Sequence, residues 1–444
     1  MAAFIATVGA RSSFFSLLLE NPSTLKVLVG LFGTSEYLSR FFLRHPELLD
    51  SLVRADLVRV EKERATMASE LDARLAASSG YEEQLDALRR YRNEEFLRIG
   101  INDIHGLLEH TAARRQLSSL AEVSLEGAYQ VALRILLEQH RMEAPPGRLA
   151  VIAMGKLGEQ ELNYNSDLDL LFIYEPEERL APPGLTAHEF FTRLAQRLIT
   201  TLQVQTKEGH VYKIDTRLRP SGRAGSLVSS LPAFIEYHKA SAQVWERQAL
   251  IKARAVAGDP DVGRRVEEVA ETHAYGGALS AEDVREIHRL RVRMEEELAN
   301  ERKGRLNIKT GRGGIVDIEF MVQMLQLRHG RALPQLRHRG TAVALEALRA
   351  CAIVSPEDFV VLSQGYEFLR ALENRLRIER DRPVEALEED EEKLVPLARR
   401  MGYEGEDGAG RLLDDYRRRR EEIRGCYHRA FAREAGLSSA EAFD

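Results

Sequence analysis

Two short apolar runs, Leu149-Ala-Val-Ile-Ala-Met154 and Leu168-Asp-Leu-Leu-Phe-Ile-Tyr174, interrupt a chain whose flanking segments repeat at helical spacing. Both runs are bounded by turn residues, which predicts buried strands. Upstream, Leu25, Leu28, Val29, Phe32 and then Phe96, Leu97, Ile101, Ile104, Leu108 recur every three or four residues, with no strand-like run among them. Asn21-Pro22 and His45-Pro46 each set a proline where a helix can start, with a leucine three residues later. Two such copies are too few for a solenoid. The character changes after Ala144-Pro-Pro-Gly147.

Beyond the two strands, Thr186 and Glu189 form a capping box for a helix reaching about Val204, with Phe190, Leu194, Leu198 and Leu202 on one face. Val211-Tyr-Lys-Ile-Asp-Thr-Arg217 alternates as a half-buried strand, and Leu250–Val256 is a further strand candidate. From Ser280 the pattern is helical again. Ser280 with Asp283 opens one helix, and Ser355-Pro356-Glu357-Asp358 opens another whose core stripe is Phe359, Leu362, Tyr366, Leu369, Leu372, Leu376. Glu388–Glu392 and Glu404–Gly410 read as acidic surface loops, and Arg417–Arg420, compensated by Glu421 and Glu422, as a solvated helix face. The fold class is therefore α+β, with the strands gathered in one block between two helical regions. The expected divisions are a helical region over 1–117, a catalytic block over 118–262 and a helical bundle over 275–444.

A length of 444 residues suggests two or three domains, and 44% hydrophobic content fills a core. The net charge of −6 excludes a global positive field for nucleic acid or an anionic membrane. Cys351 and Cys426, the two cysteines, are too few for a disulfide framework or a thiolate zinc site and suit a reducing cytosol. No window approaches the roughly 18 apolar residues of a membrane span, and Met1–Arg11 lacks a signal core, so the expected location is the cytoplasm.

The densest chemical signal is Gly155-Lys156-Leu157-Gly158, then Ser166-Asp167-Leu168-Asp169. On a strand, residues i and i+2 share a face, so Asp167 and Asp169 present paired carboxylates that repel each other unless a cation such as Mg²⁺ lies between them. The glycine turn offers backbone N–H groups for phosphate oxygens, although it lacks P-loop spacing. Alternation puts Lys213, Asp215, Arg217 and Arg219 on one face of the third strand, supplying a third carboxylate for a two-metal scheme and two arginines for phosphates or for surface ion pairs. Lys252 and Arg254 follow Trp245-Glu246 and suit either phosphate contact or an ion pair with Glu246; Trp245 reads as core. Lys309, Asp317 and Glu319, beside Gly311, Gly313 and Gly314, suit either closure over a nucleotide or a domain-junction network.

These residues together resemble the DNA-polymerase-β-like nucleotidyltransferase superfamily, whose pattern is a glycine turn, an Asp-x-Asp strand and a third Asp. The resemblance is closer to the glutamine synthetase adenylyltransferase family. It rests on Met154–Gly158 with Glu161–Asn163, Ser166–Leu170, Asp215–Gly222, Trp245-Glu246 with Ala249-Leu250 and Lys252–Arg254, and Gly313–Ile315 with Asp317–Phe320 and Gln323. Glu159 departs from the pattern, which has a second glycine there. The family enzyme carries two homologous catalytic halves, and this chain has one copy of each motif. The leader Leu18–Leu52 and Pro220-Ser221-Gly222 resemble the C-terminal, adenylylating half, whereas Glu161-Leu-Asn163 also resembles the adenylyl-removing half.

The resemblance implies transfer of AMP from ATP to a tyrosine of glutamine synthetase, with two Mg²⁺ ions on Asp167, Asp169 and Asp215. It further implies nucleotide contacts from Gly155, Lys156, Ser166, Arg217, Arg219 and Lys252, with Asp215 as ligand and proton acceptor. Glutamine synthetase is the implied partner, with the PII signalling protein as a regulator. The adenylyl-removing half, a non-catalytic regulatory fragment and an RNA nucleotidyltransferase are the competing readings, the last disfavoured by the negative charge.

Overall fold

The computed structural model describes residues 19–20, 22–34, 39, 42–43, 60–177, 184–379 and 385–437. His45-Pro46 and much of the leader Leu18–Leu52 lie outside them. The chain divides into two compact units. The first takes the described parts of Met1–Phe234, Arg254–Val266 and Arg377–Pro383, and the second those of Ile235–Ala253, Glu267–Leu376 and Val384–Asp444.

In the first unit, helices α1 (Pro22–Thr34), α2 (Arg64–Ala77), α3 (Tyr81–Ile104) and α4 (His110–His140) precede the sheet. Pro22 is the first residue of α1, where its missing N–H costs no helical bond. The expected strands form as β1 (Gly147–Ala153) and β2 (Leu168–Pro176), paired antiparallel with Ala153 opposite Leu170. Strand β5 (Arg254–Gly258) adds antiparallel to β1, with a register shift at Val151/Ile152. Strands β3 (Ile214–Asp215) and β4 (Val228–Ser230) pair parallel with successive parts of β2. Leu149, Val151 and Ala153 of β1 and Leu168, Leu170, Phe172 and Tyr174 of β2 join one buried core. Between them, Ala150, Ile152, Leu171 and Ile173 are buried as well, so both faces are covered and the runs read as continuously apolar.

Helix α6 (Ala187–Gln203) follows the four-residue turn α5 (Gly155–Gly158) in chain order and starts at the expected capping box. The Thr186 hydroxyl accepts from Glu189 N at 3.2 Å while the Glu189 carboxylate accepts from Thr186 N at 2.9 Å. Phe190, Leu194, Leu198 and Leu202 are fully buried in the core of the sheet.

The proposed strand Val211–Arg217 shortens to the two residues of β3. Val211 and Tyr212 are buried, but their N–H groups donate to the Leu202 carbonyl at the end of α6, at 2.9 and 3.3 Å, rather than to a ladder. Beyond Asp215 the chain turns, Arg219 N donating to Thr216 O at 3.3 Å. The alternation therefore reports packing against a helix end, and the shared face of Lys213, Asp215, Arg217 and Arg219 does not form. The Leu250–Val256 strand is likewise displaced, since Val244–Leu250 is a helix capped by Gln243 and Glu246 and β5 begins only at Arg254.

The second unit is helical, built from α10 (Ala281–Leu298), α11 (Ile315–His329), α12 (Thr341–Ala350), α13 (Pro356–Glu379, which ends in the first unit's segment), α14 (Glu391–Arg400) and α15 (Gly408–Ala435). Helices α7 (Leu231–Ala240), α8 (Val244–Leu250) and α9 (Pro260–Tyr275) come before them in the chain. The Ser280 capping box and the α13 stripe form as expected, with Leu362, Tyr366, Leu369, Leu372 and Leu376 buried and Phe359 half-buried. Glu388–Glu392 is not a loop. Ala386–Glu388 forms β7, antiparallel to β6 (Arg305–Asn307), and Asp390 caps α14. Of the Arg417–Arg420 run, Arg417 and Arg418 are solvated, but Arg420 is buried and donates to Arg312 O and Glu301.

Leu194→Ala removes a fully buried side chain where α6 meets the sheet, with an expected cost of roughly 2–5 kcal/mol. Urea unfolding followed by circular dichroism checks this through a lowered midpoint; a midpoint within error of wild type would refute the packing.

Candidate active site

Strand β1 ends at Ala153 and the chain enters α5 at Gly155, whose φ is +53°. A Cβ there would stand 2.5 Å from Asp169 Oδ2, so two constraints require glycine: the left-handed backbone and the approach of a carboxylate. The Asp169 carbonyl accepts from Met154 N at 2.9 Å, tying turn and carboxylate together. Glu159, where the family pattern has glycine, has φ −85°, a conformation open to any residue.

The chain returns to β2 through a braced loop. Leu162 N donates to Ser118 Oγ at 3.0 Å, and Tyr164 donates its hydroxyl proton to buried Asp103 at 3.0 Å. Ser166 Oγ accepts from Asn163 N and Arg377 Nη1, each at 3.3 Å. Strand β2 starts at Leu168, so exposed Asp167 lies just ahead of the ladder and half-buried Asp169 within it, on either side of buried Leu168. Across β2 and β3, Asp169 and Asp215 are register partners.

Asp215 is gripped by Arg217. The backbone N–H donates to Oδ1 at 2.9 Å and Nε reaches Oδ1 and Oδ2 at 2.9 and 2.7 Å, while Nη2 pairs with Oδ2. This guanidinium holds the Asp215 carboxyl below the usual range, against the opposing effect of partial burial. Arg217 itself is stabilised as a cation by Asp215 first, and also by Asp169 and Asp167, so all three carboxylates act on it. Arg219 braces the loop instead, donating to Thr216 O at 2.8 Å, Thr216 Oγ1 at 2.9 Å, Gly225 O at 3.1 Å and Arg223 O at 3.2 Å. Lys156 is half-buried in α5.

The donor chemistry of Asp167, Asp169 and Asp215 fits a hard divalent cation, because carboxylate oxygens are the ligands such ions take. Among the described residues no three side chains stand in a ready-made ligand cluster, and Asp215 would have to exchange its Arg217 partner for the ion.

Other expected residues belong to the second unit. Lys252 is buried with Nζ 3.7 Å from Glu319, not Glu246, whose carboxylate accepts from Tyr237 and Gln243. Trp245 is half-buried on α8 rather than core. Asp317 is fully buried, 2.5 Å from Arg291 Nε and 3.1 Å from Arg424 Nη1, and accepts from Gly313 N at 2.8 Å. Lys309 pairs with Glu385 at 3.0 Å. Sequence reasoning missed Glu122 and Arg64, which sit in ordinary helical periodicity and gave no signal; Glu122 is buried and receives both Arg64 and Arg254.

A small mixed sheet that brings Asp169 and Asp215 into register beside a glycine turn, with helices packed on it, defines an α+β domain. Residues 25–269 match the family described as glutamate-ammonia ligase adenylyltransferase, and the chain belongs to that family. Residues 285–431 match the family described as GlnD PII-uridylyltransferase. Similar curated proteins, each named bifunctional glutamine synthetase adenylyltransferase/adenylyl-removing enzyme, occur in several bacteria. That of Chromobacterium violaceum is 36% identical over 85% of this chain and 41% of its own length. Those of Thioalkalivibrio sulfidiphilus and Mycobacterium leprae are 34% and 33% identical over 91% and 93% of this chain, and 44% and 41% of their own lengths. The chain thus spans about two-fifths of the curated relatives it matches. No helix among the described residues is long and apolar enough to cross a membrane.

Two outcomes are expected. Asp215 should titrate below the ~3.9 of a free aspartate in carbon NMR, and Arg217→Gln should raise it toward that value. Because the folded value is depressed, the pair stabilises above the ordinary carboxylate range and its contribution disappears as pH falls through the folded value. An Asp215 unmoved by Arg217→Gln would refute the pairing. Asp317→Ala leaves the buried Arg291 and Arg424 facing no Asp317 carboxylate, and thermal melting should show a loss on the order of 3–5 kcal/mol.

Proposed function

We propose that this chain is a nucleotidyltransferase that moves AMP from ATP to a tyrosine of glutamine synthetase. The observation that carries the reading is the register pairing of Asp169 with Asp215 beside Gly155, in a chain belonging to this family. The names of its relatives support the substrate. The tyrosine oxygen attacks the α-phosphorus, the new P–O bond forms as the bond to pyrophosphate breaks, and the hydroxyl proton leaves to solvent or a base.

In this reading Asp167, Asp169 and Asp215 hold two Mg²⁺ ions, which when bound would neutralise phosphate charge and lower the pKa of the attacking hydroxyl. Gly155 lets the turn approach closely enough for phosphate oxygens, with Lys156 and Ser166 beside it. Arg217, released from Asp215, is placed to meet phosphate charge. The depressed pKa of Asp215 makes it a weak proton acceptor near neutral pH, which favours the ligand role. Arg219 would serve by holding the loop after Asp215. Lys252, which the resemblance assigns to the nucleotide, keeps that role as a proposal, as do the divisions 1–117, 118–262 and 275–444. The unpaired state of Cys351 and Cys426 is consistent with a cytoplasmic location. The match of 285–431 to a PII-uridylyltransferase supports the PII protein as a candidate regulator.

Purified chain, glutamine synthetase, Mg²⁺ and ATP labelled in its α-phosphate test the reading. Label should appear on the synthetase, and Asp169→Asn should cut the rate by roughly a hundredfold or more with little change in melting temperature. ADP released from adenylylated synthetase and phosphate would instead assign the adenylyl-removing activity. Neither product, with Asp167→Asn indistinguishable from wild type, would leave a non-catalytic fragment.

A further inference from the structure

Arg254 stands opposite Ala153 across β1 and β5, one residue from the point where β1 gives way to the glycine turn. Its Nε donates to Gly158 O at 3.1 Å and its Nη2 to Leu157 O at 2.8 Å, the two carbonyls that close the turn. The same Nη2 lies 2.5 Å from Glu122 Oε1. Glu122, on α4, is 3% exposed, and its other oxygen takes Arg64 Nε at 2.9 Å. The adjacent residue-126 carboxylate holds the far end of the same strand, accepting from Gly258 N at 2.9 Å.

The turn is only four residues long. Gly158 N donates to Met154 O, Glu159 N to Gly155 O, Gln160 N to Leu157 O and Glu161 N to Lys156 O, at 3.1, 3.2, 3.1 and 2.8 Å. One end is fixed to Asp169 through Met154 N, and the close approach of Gly155 to Asp169 Oδ2 leaves no slack there. The other end is held by the Arg254 fork together with Gln160 N and Glu161 N, and of these only the fork reaches the Gly158 carbonyl and ties the turn to Glu122 on α4. A guanidinium can hold two carbonyls and a carboxylate in one plane, which a lysine ammonium cannot do with the same geometry. Burial of Glu122 makes the fork costly to move, because one oxygen of a poorly solvated carboxylate would lose its partner and only the bond from exposed Arg64 would remain.

We propose that Arg254, locked by Glu122, is a positioning residue that sets the Gly155–Gly158 turn against Asp169 and thereby the affinity for the ATP phosphates. The proposal rests on the nucleotidyl-transfer reading above and assigns Arg254 to the turn's backbone rather than to phosphate. It predicts a specific pattern: ATP binding depends on the fork, whereas folding depends mainly on the charge opposite Glu122.

The full chain is compared with Arg254→Gln and Arg254→Lys by calorimetric titration with Mg²⁺–ATP, by thermal melting and by amide hydrogen exchange over residues 154–161. Arg254→Gln should weaken ATP binding about tenfold, raise KM for ATP similarly with kcat within about twofold, and speed exchange in the turn. Arg254→Lys should restore melting temperature but neither ATP affinity nor slow exchange. Wild-type affinity and exchange in Arg254→Gln, or full rescue of both by Arg254→Lys, overturns the positioning role alone. Wild-type chain that binds no Mg²⁺–ATP overturns the nucleotidyl-transfer reading and the affinity claim together, while the exchange data still decide whether Arg254 holds the turn.

Discussion

Strand β2 is the constraint on which the first unit depends. Its apolar side chains bury in the core beside β1 and α6, while its leading end must carry two carboxylates out of the core. These demands are compatible because Asp167 just precedes the strand and Asp169 is its second residue, flanking Leu168, and the apolar run begins immediately behind them. Pairing with β1 on one side and β3 on the other fixes Asp169 by backbone hydrogen bonds, so the carboxylate's position is inherited from the sheet. A group held this way loses little entropy when it takes a ligand.

Charge compensation follows the same economy. Three carboxylates in one region repel, and Arg217 sits where it is attracted by all of them while bonding only Asp215. The pair is partly solvated, so its net strength is modest and it can be exchanged for another cation. Arg254 and Glu122 are the opposite case: the carboxylate is buried, and the half-buried guanidinium is multiply bonded and directed at backbone carbonyls. Exposure thus separates a replaceable contact from a fixed one, although both involve an arginine and a carboxylate.

The second unit uses buried charge as a fastener. Asp317 sits at the first turn of α11, accepts from Gly313 N and faces Arg291 of α10 and Arg424 of α15, so a single carboxylate joins three helices and a glycine loop. A Cβ on Gly313, whose φ is +65°, would collide with the Arg420 carbonyl, which explains the glycine at that position. Charged motif residues in this unit, Lys252, Glu319 and Lys309 among them, are engaged in ion pairs with one another or with neighbours.

Local patterning by itself determined β1, β2 and the capped helices α6 and α10, because each of these is written in residues within one element's length. It misread Val211–Arg217, where burial against the end of α6 imitates strand alternation, and Glu388–Glu392, where acidity concealed a short strand and a helix cap. Only the tertiary structure decided which arginine meets which carboxylate. Arg217 folds back two residues onto Asp215, whereas Arg254 meets a glutamate 132 positions away on a helix with no motif. Partner choice of the second kind depends on where distant elements return to the sheet, and no spacing rule within the sequence encodes that distance.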